Sequence, residues 1–253
     1  MQSSKQPQII NPSLPAIDLP GVLTTQAVDA YARQLGADSP DADNLVKQVA
    51  QVQSKAASLW ESFNQVRANR NPGNTPASHL QKLEKASQQL QKTLFRESDI
   101  IKDRLKLREQ EIDREIEARF MQSSNDAGEV RAVLRNMETV AERTAAVMAA
   151  IDEGDASVLA AVISGKPVTT GIDAKYVKTL REYGEKKLAA DLTAKKQQVK
   201  KASDLLVNII DETITLQDKA IGTPELRAQF EQQALEADNA ALNFSRLLGA
   251  NND

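Results

Sequence analysis

The chain has 253 residues, 26% of them charged with both signs mixed, and a net charge of −3. That balance argues against a dedicated nucleic-acid coat or a membrane-surface protein, and the absence of Cys excludes a disulfide framework or a Cys-based metal site. Aromatics are only 4% of residues, and an apolar set made mostly of Ala, Leu, Val and Ile suits closely spaced helices better than a thick sandwich core.

Met1 to Leu23 reads as an extended arm. Pro7, Pro12, Pro15 and Pro20 each remove a backbone donor and restrict the residue before them. Between them lie Ile9, Ile10, Leu14, Ile17, Leu19, Val22 and Leu23, more Ile and Leu than a solvated linker carries. The expectation is a ribbon that docks in a groove of a neighbouring subunit, with a loose tail as the alternative. Met1 to Gly21 lacks the apolar core of a targeting segment.

A short helix is expected over Thr25–Leu35, capped by Thr25 and stopped by Gly36. Val28, Tyr31, Ala32 and Leu35 share one of its faces. A second helix starts with Ser39 as cap and Pro40 in the first turn, and runs to about Ala68. Leu45, Val49, Val52, Ala56, Leu59, Phe63 and Val66 alternate four and three apart, a heptad seam flanked by Trp60. Asn69 to Asn74, with Pro72-Gly73, breaks it.

Thr75-Pro76 restarts the chain as cap and first turn of a helix over Pro76–Gln122, about 70 Å long at about 1.5 Å per residue. Its stripe, Leu90, Leu94, Ile101, Leu105, Ile112 and Ile116, repeats every eleven residues. Such a repeat keeps a helix nearly straight or slightly right-handed in supercoil. A capping box at Asp126 and Glu129 opens a fourth helix to about Asp152, with Val130, Leu134, Met137, Ala141, Thr144, Met148 and Ile151 as its seam. Gly154 ends it and Asp155 caps Ala156–Ser164. That helix holds the longest apolar patch, Ala156–Ile163, far below the ~20 residues of a spanning helix. Gly165 to Gly171 reads as a loop or very short strand.

A second helix of about 70 Å is expected over Ala174–Ala220, its thinner first half more exposed than the second, or bent near Gly184. Its seam runs Leu188, Leu192, Lys195, Val199, Ala202, Leu206, Ile209, Thr213, Leu216 and Ala220, widened by Leu205, Ile210 and Ile214. Gly222-Thr223-Pro224 is a second candidate hinge, and the last helix carries Leu226, Phe230, Ala237, Ala241, Phe244 and Leu248. The fold expected is therefore all-α: an elongated antiparallel helical bundle or coiled coil over residues 24–249, built on two ~70 Å helices, with the arm over 1–23 and a polar tail over 250–253.

The inventory for chemistry is small. His79 is the single histidine, and no HExxH, phosphate loop or dinucleotide fingerprint occurs. A Ser or Thr triad would need a histidine partner. No cofactor and no catalytic role are expected. The acids of the long helix, Glu111, Asp113, Glu115 and Glu117, read as a solvated face tied by pairs such as Glu115–Arg119. The sharpest charge feature lies on the sixth helix. Lys175, Lys178, Arg181, Lys186, Lys187, Lys195, Lys196, Lys200 and Lys201 stand against Asp173, Glu182, Glu185 and Asp191, with Tyr176 and Tyr183 interleaved. This basic face suits nucleic acid, lipid headgroups or an acidic protein surface; a plain solvated face or an intersubunit charge match is the alternative. Lys dominates over Arg, unlike groove and phosphate readers.

In its Ala/Gln/Lys-rich helices, its lack of Cys, its arm Met1–Gly21 and its hinge Asn71-Pro72-Gly73-Asn74-Thr75-Pro76, the chain resembles helical virion proteins of tailed bacteriophages. Internal or ejection proteins and portal- or tail-associated components are the nearest in character. The resemblance implies a non-enzymatic protein in the virion, present in many copies beside itself and other proteins of a large assembly. It would help package or deliver the genome, with the Lys-rich helix facing DNA, an acidic neighbour or the envelope. The competing expectation is a protein secreted from a bacterial cell, a helical component of a type III secretion-like apparatus, with the Ser/Gln/Pro/Ile-rich N-terminus as its secretion signal.

Overall fold

The computed structural model describes residues 17–69, 71, 73–121 and 126–247. Every regular element among them is helical: α1 (Val28–Leu35), α2 (Asn44–Ala68), α3 (Pro76–Met121), α4 (Ala127–Asn136), α5 (Val140–Asp152), α6 (Ala156–Ile163), α7 (Pro167–Thr170), α8 (Ala174–Leu188), α9 (Ala190–Ile221) and α10 (Pro224–Leu247). The protein is all-α, as its periodicities require. The chain divides into two compact units. The first draws its described residues from Met1–Asp38, Lys47–Ile101 and Asp204–Asp253, the second from Ser39–Val46 and Lys102–Ser203.

In the first unit α2 turns back onto α3. Gly73 N–H donates to Asn71 Oδ1 at 2.8 Å and Ser78 N–H to Thr75 Oγ1 at 3.1 Å, so Thr75 caps α3 as its sequence predicts. The pair Lys55–Glu97 then ties the two helices across the hairpin. The buried face of α2 is not the predicted seam. Val49, Val52, Ala56 and Phe63 are buried, but Leu45 and Leu59 are half-buried and Val66 is exposed. The deepest row is Val46, Val49, Gln53, Ala56, Trp60 and Phe63, the same four-three rhythm rotated by about 50°. Gln53 hides this row in the sequence. It is buried because its Nε2 donates to the Val22 carbonyl at 3.0 Å.

Helix α1 begins later than expected. Gly21–Leu23 and Thr25–Ala27 are 3-10 turns, and Thr25 does not cap. Its N–H and hydroxyl instead donate to Glu61 Oε1 at 2.9 and 2.7 Å, which holds that carboxyl below its usual range. Gly36 ends α1 in the left-handed region as predicted, at φ 69°, where a side chain would be strained. The start of α2 also moves. Ser39 to Ala42 forms a turn, and Asp43 Oδ1 accepts from Leu45 N–H at 2.9 Å, so Asp43 takes the capping place expected of Ser39.

The α3 stripe is as predicted: Leu90, Leu94, Ile101, Leu105, Ile112 and Ile116 are all buried. Leu83, Ser87, Ser98 and Phe120 join them. Ser87, Ser98, Glu109 and Phe120 stand eleven apart and form the third row of the same repeat, which polar residues conceal in the sequence. The Ser98 hydroxyl is buried and has no hydrogen-bond partner among the described residues.

In the second unit three expected elements are corrected. The fourth helix is two helices. Its predicted capping box fails, since the Asp126 side chain makes no cap bond, while Thr139 and Glu142 form a complete one that starts α5. The seam across Met137 is therefore broken, leaving Ala141 and Met148 exposed. Gly165 to Gly171 holds neither strand nor open loop but the single turn α7, with Pro167 in its first position and Gly171 at φ 66° behind it. The predicted helix Ala174–Ala220 is α8 and α9, separated at Ala189, whose φ of −136° leaves the helical region. Gly184 is not the bend.

Gly184 is instead a contact. Helix α8 packs on α5 and α6, and a Cβ at Gly184 would stand 2.2 Å from Leu159 Cδ2. Leu159 is fully buried and cannot swing into solvent. Gly184→Ala is therefore expected to cost about 1–3 kcal/mol of stability in urea unfolding. Combined with Leu159→Ala the two losses should fall short of additive, because the second change removes the clash.

Candidate functional site

The nine bases of α8 and α9 divide into two groups. Arg181 donates from Nη2 to Glu117 at 2.9 Å and from Nε to Glu185 at 3.0 Å. Lys187 pairs with Asp152 at 3.0 Å and lies 5.5 Å from the Tyr183 ring centre; the carboxylate raises its pKa. Lys196 reaches Asp113 at 2.6 Å, which raises its pKa in turn. These three are internal ties of the second unit. Among the described residues Lys175, Lys178, Lys186, Lys195, Lys200 and Lys201 are exposed and make no ion pair. Lys175, Lys178 and Lys186 share one face of α8, spaced three and eight apart. Lys195, Lys200 and Lys201 point in different directions around α9, so the nine do not form a single face.

The break between α8 and α9 has its own recognition. Arg119 Nη1 donates to the Leu188 carbonyl at 3.5 Å and to Asp191 Oδ1 at 2.5 Å, while Nη2 donates to Asp191 Oδ2 at 3.0 Å. The fork meets both an acceptor freed by the break and the acid in the first turn of α9. It holds the Asp191 carboxyl down at about 2. Glu115, expected to pair with Arg119, pairs with Arg108 instead at 3.0 Å. Arg108 also donates to Asp43 Oδ2 at 2.9 Å, which raises its pKa.

Among the described residues Arg143 is the most connected side chain of the second unit. Its Nε donates to the Leu134 carbonyl at 2.9 Å, Nη1 to Gly171 at 3.0 Å, and Nη2 to Met137 at 2.6 Å and Arg135 at 3.5 Å. One guanidinium thus closes the C-terminal ends of α4 and α7. No local pattern announces this role, since the carbonyls belong to two separate segments.

Of the arm residues, Ile9, Ile10 and Leu14 lie outside the described residues. Ile17, Val22 and Leu23 are buried and Leu19 half-buried within this chain's own first unit. Ile17, Val22 and Leu23 are core rather than a ribbon presented to a neighbour, and the Val22 carbonyl, in the 3-10 turn after Pro20, accepts from Gln53 of α2.

Helix α10 is the reverse case. Phe230 is buried, but every residue from Leu235 to Leu247 is exposed, with Leu235 at 64%, Leu242 at 57%, Phe244 at 63% and Leu247 at 86%. Phe230, Ala234, Ala237, Ala241 and Phe244 keep a four-three spacing along it. An open apolar groove of about 320 Å³ lies in the second unit, lined by Val130 and Val133 of α4, Met137 just after it, Ala146 of α5 and Val158 of α6, together with Asp126 and Glu129. Nothing in it pairs a nucleophile with a base. His79 is half-buried in the first turn of α3, its Nε2 at 3.4 Å from the Arg67 carbonyl.

Among the described residues no group of His, Cys, Asp or Glu could hold a metal ion, and no helix is long and apolar enough to cross a membrane. Comparison with family models, curated proteins and solved structures finds no match.

Proposed function

We propose that this protein is a non-enzymatic building block that works in many copies, a virion component of a tailed bacteriophage of the internal, ejection or portal- and tail-associated kind, helping to package or deliver the genome. The assembly part of the reading rests on one observation: α10 runs past its own core. From Leu235 onward it carries four large apolar side chains in solvent. A free helix of that length is marginal in water, and large apolar side chains left in solvent on two sides of it, Leu235 and Leu242 on one and Phe244 and Leu247 on the other, are covered when further helices pack alongside. Self-association supplies the missing partner. The phage particle itself is supported by the general character of the chain: Cys-free, rich in Ala, Gln and Lys, and built on long helices.

Sedimentation of the full chain at tens of micromolar tests the assembly part. A multimer is expected, and Leu242→Asp with Phe244→Asp should shift it to monomer without loss of helix content, because both positions lie outside the core. A monomeric parent chain overturns the reading. The virion part is tested by the protein composition of purified particles from the source; absence of the chain there removes it.

A further inference from the structure

The lysines that the fold leaves unpaired are sorted by position, and one set is organised. Lys175, Lys178 and Lys186 lie on a single face of α8 with Glu182 between them, all four exposed. The face extends for about 17 Å, a length over which a DNA duplex carries about ten phosphate charges. We propose that this face is a sequence-independent docking site for the phosphate backbone of duplex DNA.

Three features of the helix select this partner. First, the exposed positions of α8 include no Leu, Ile, Phe or Trp; its apolar side, Leu180 and Gly184, is buried in this chain. A helix that lies in a lipid surface needs that side free. Second, a protein interface of any strength needs a desolvated apolar or aromatic centre and is depleted in Lys. The lysine face provides none; Tyr176, the exposed aromatic of α8, lies about a third of a turn from its centre. Third, the free charges are Lys and not the Arg forks that groove and phosphate readers favour, so a contact here neutralises phosphate by point charge alone and reads no bases. Arg181, the one guanidinium on α8, is held by Glu117 and Glu185 and is not free to read a groove. The chain as a whole is acidic, so the contact is local to this face and Glu182 works against it.

The site rests on α8 and not on the assembly reading. Its test is anisotropy of a labelled duplex of about 30 base pairs against the full chain over a salt series from about 50 to 200 mM. The expected result is binding that weakens linearly in log–log form, without sequence preference. Lys175→Gln, Lys178→Gln and Lys186→Gln together should lower affinity at least about tenfold and reduce the salt slope by about three. Lys85→Gln, Lys92→Gln and Lys219→Gln change the net charge equally, from exposed sites without ion pairs, and should leave binding within about twofold if charge position matters. Glu182→Gln should tighten binding by a few fold, an effect no merely structural role for this face would give. Absence of duplex binding at the lowest salt, equal losses from the two triple variants, or binding to phosphatidylserine-containing vesicles in place of DNA would each overturn the proposal.

Discussion

Arg143→Ala is expected to lose about 3 kcal/mol of stability in urea or thermal unfolding, among the largest effects of any single substitution in the second unit. The guanidinium donates to carbonyls of Leu134, Arg135, Met137 and Gly171. The chain leaves the helix at Met137, so the last carbonyls of α4 lack a following helical turn, and Leu134 O accepts from the main chain only through Met137 N–H at 3.2 Å. The variant leaves several half-buried acceptors without a charged donor at once. Arg143→Lys should recover less than half of the loss, since one ammonium cannot span two helix ends with a fixed fork. Gly171 belongs to the same arrangement. The guanidinium lies 2.8 Å from where its Cβ would be, and its positive φ already disfavours a side chain. A loss below about 1 kcal/mol for Arg143→Ala would mean that water replaces the guanidinium at these carbonyls.

The first unit has its counterpart in Trp60. The ring is 1% exposed, meets Phe63 edge-on at 5.6 Å between centres, and donates from Nε1 to Thr213 Oγ1 of α9 at 3.3 Å. Trp60→Ala is expected to cost about 3–5 kcal/mol through the cavity it leaves. Trp60→Phe keeps most of the packing but strands the Thr213 hydroxyl, itself buried, and should cost about 1–3 kcal/mol. Adding Thr213→Val to Trp60→Phe should return part of that loss, because it replaces the stranded hydroxyl with a methyl. If Trp60→Phe proves neutral, the indole N–H contributes nothing and the ring acts by volume alone.

These two residues mark how far the sequence could be read. Trp60 flanks a visible heptad in the sequence and is a centre of the folded core. The displacement comes from Gln53, a polar residue admitted to the core by a single carbonyl of the segment before α1. Arg143 had no visible signal, because what it binds comes from α4 and α7, which approach only in the folded chain. Thr139-x-x-Glu142 did carry a signal for the break between α4 and α5, but the run of apolar residues through Met137 concealed it. Of the nine bases predicted as one face, the sequence located every lysine. Which of them remain free followed from Glu117, Asp113 and Asp152, acids distant in sequence that engage Arg181, Lys196 and Lys187.

By itself the sequence determined the all-α class, the breaker between α2 and α3, the left-handed glycine at Gly36, and the eleven-residue stripe of α3. Each of these depends on local sterics or on a period within one helix. Only the tertiary structure decided that Ile17, Val22 and Leu23 are core, that the second long helix breaks at Ala189 while Gly184 stays helical against Leu159, and that α10 outruns its support. Those outcomes depend on which surfaces meet. Burial and pairing are properties of two segments at once, and periodicity along one segment carries no record of the other.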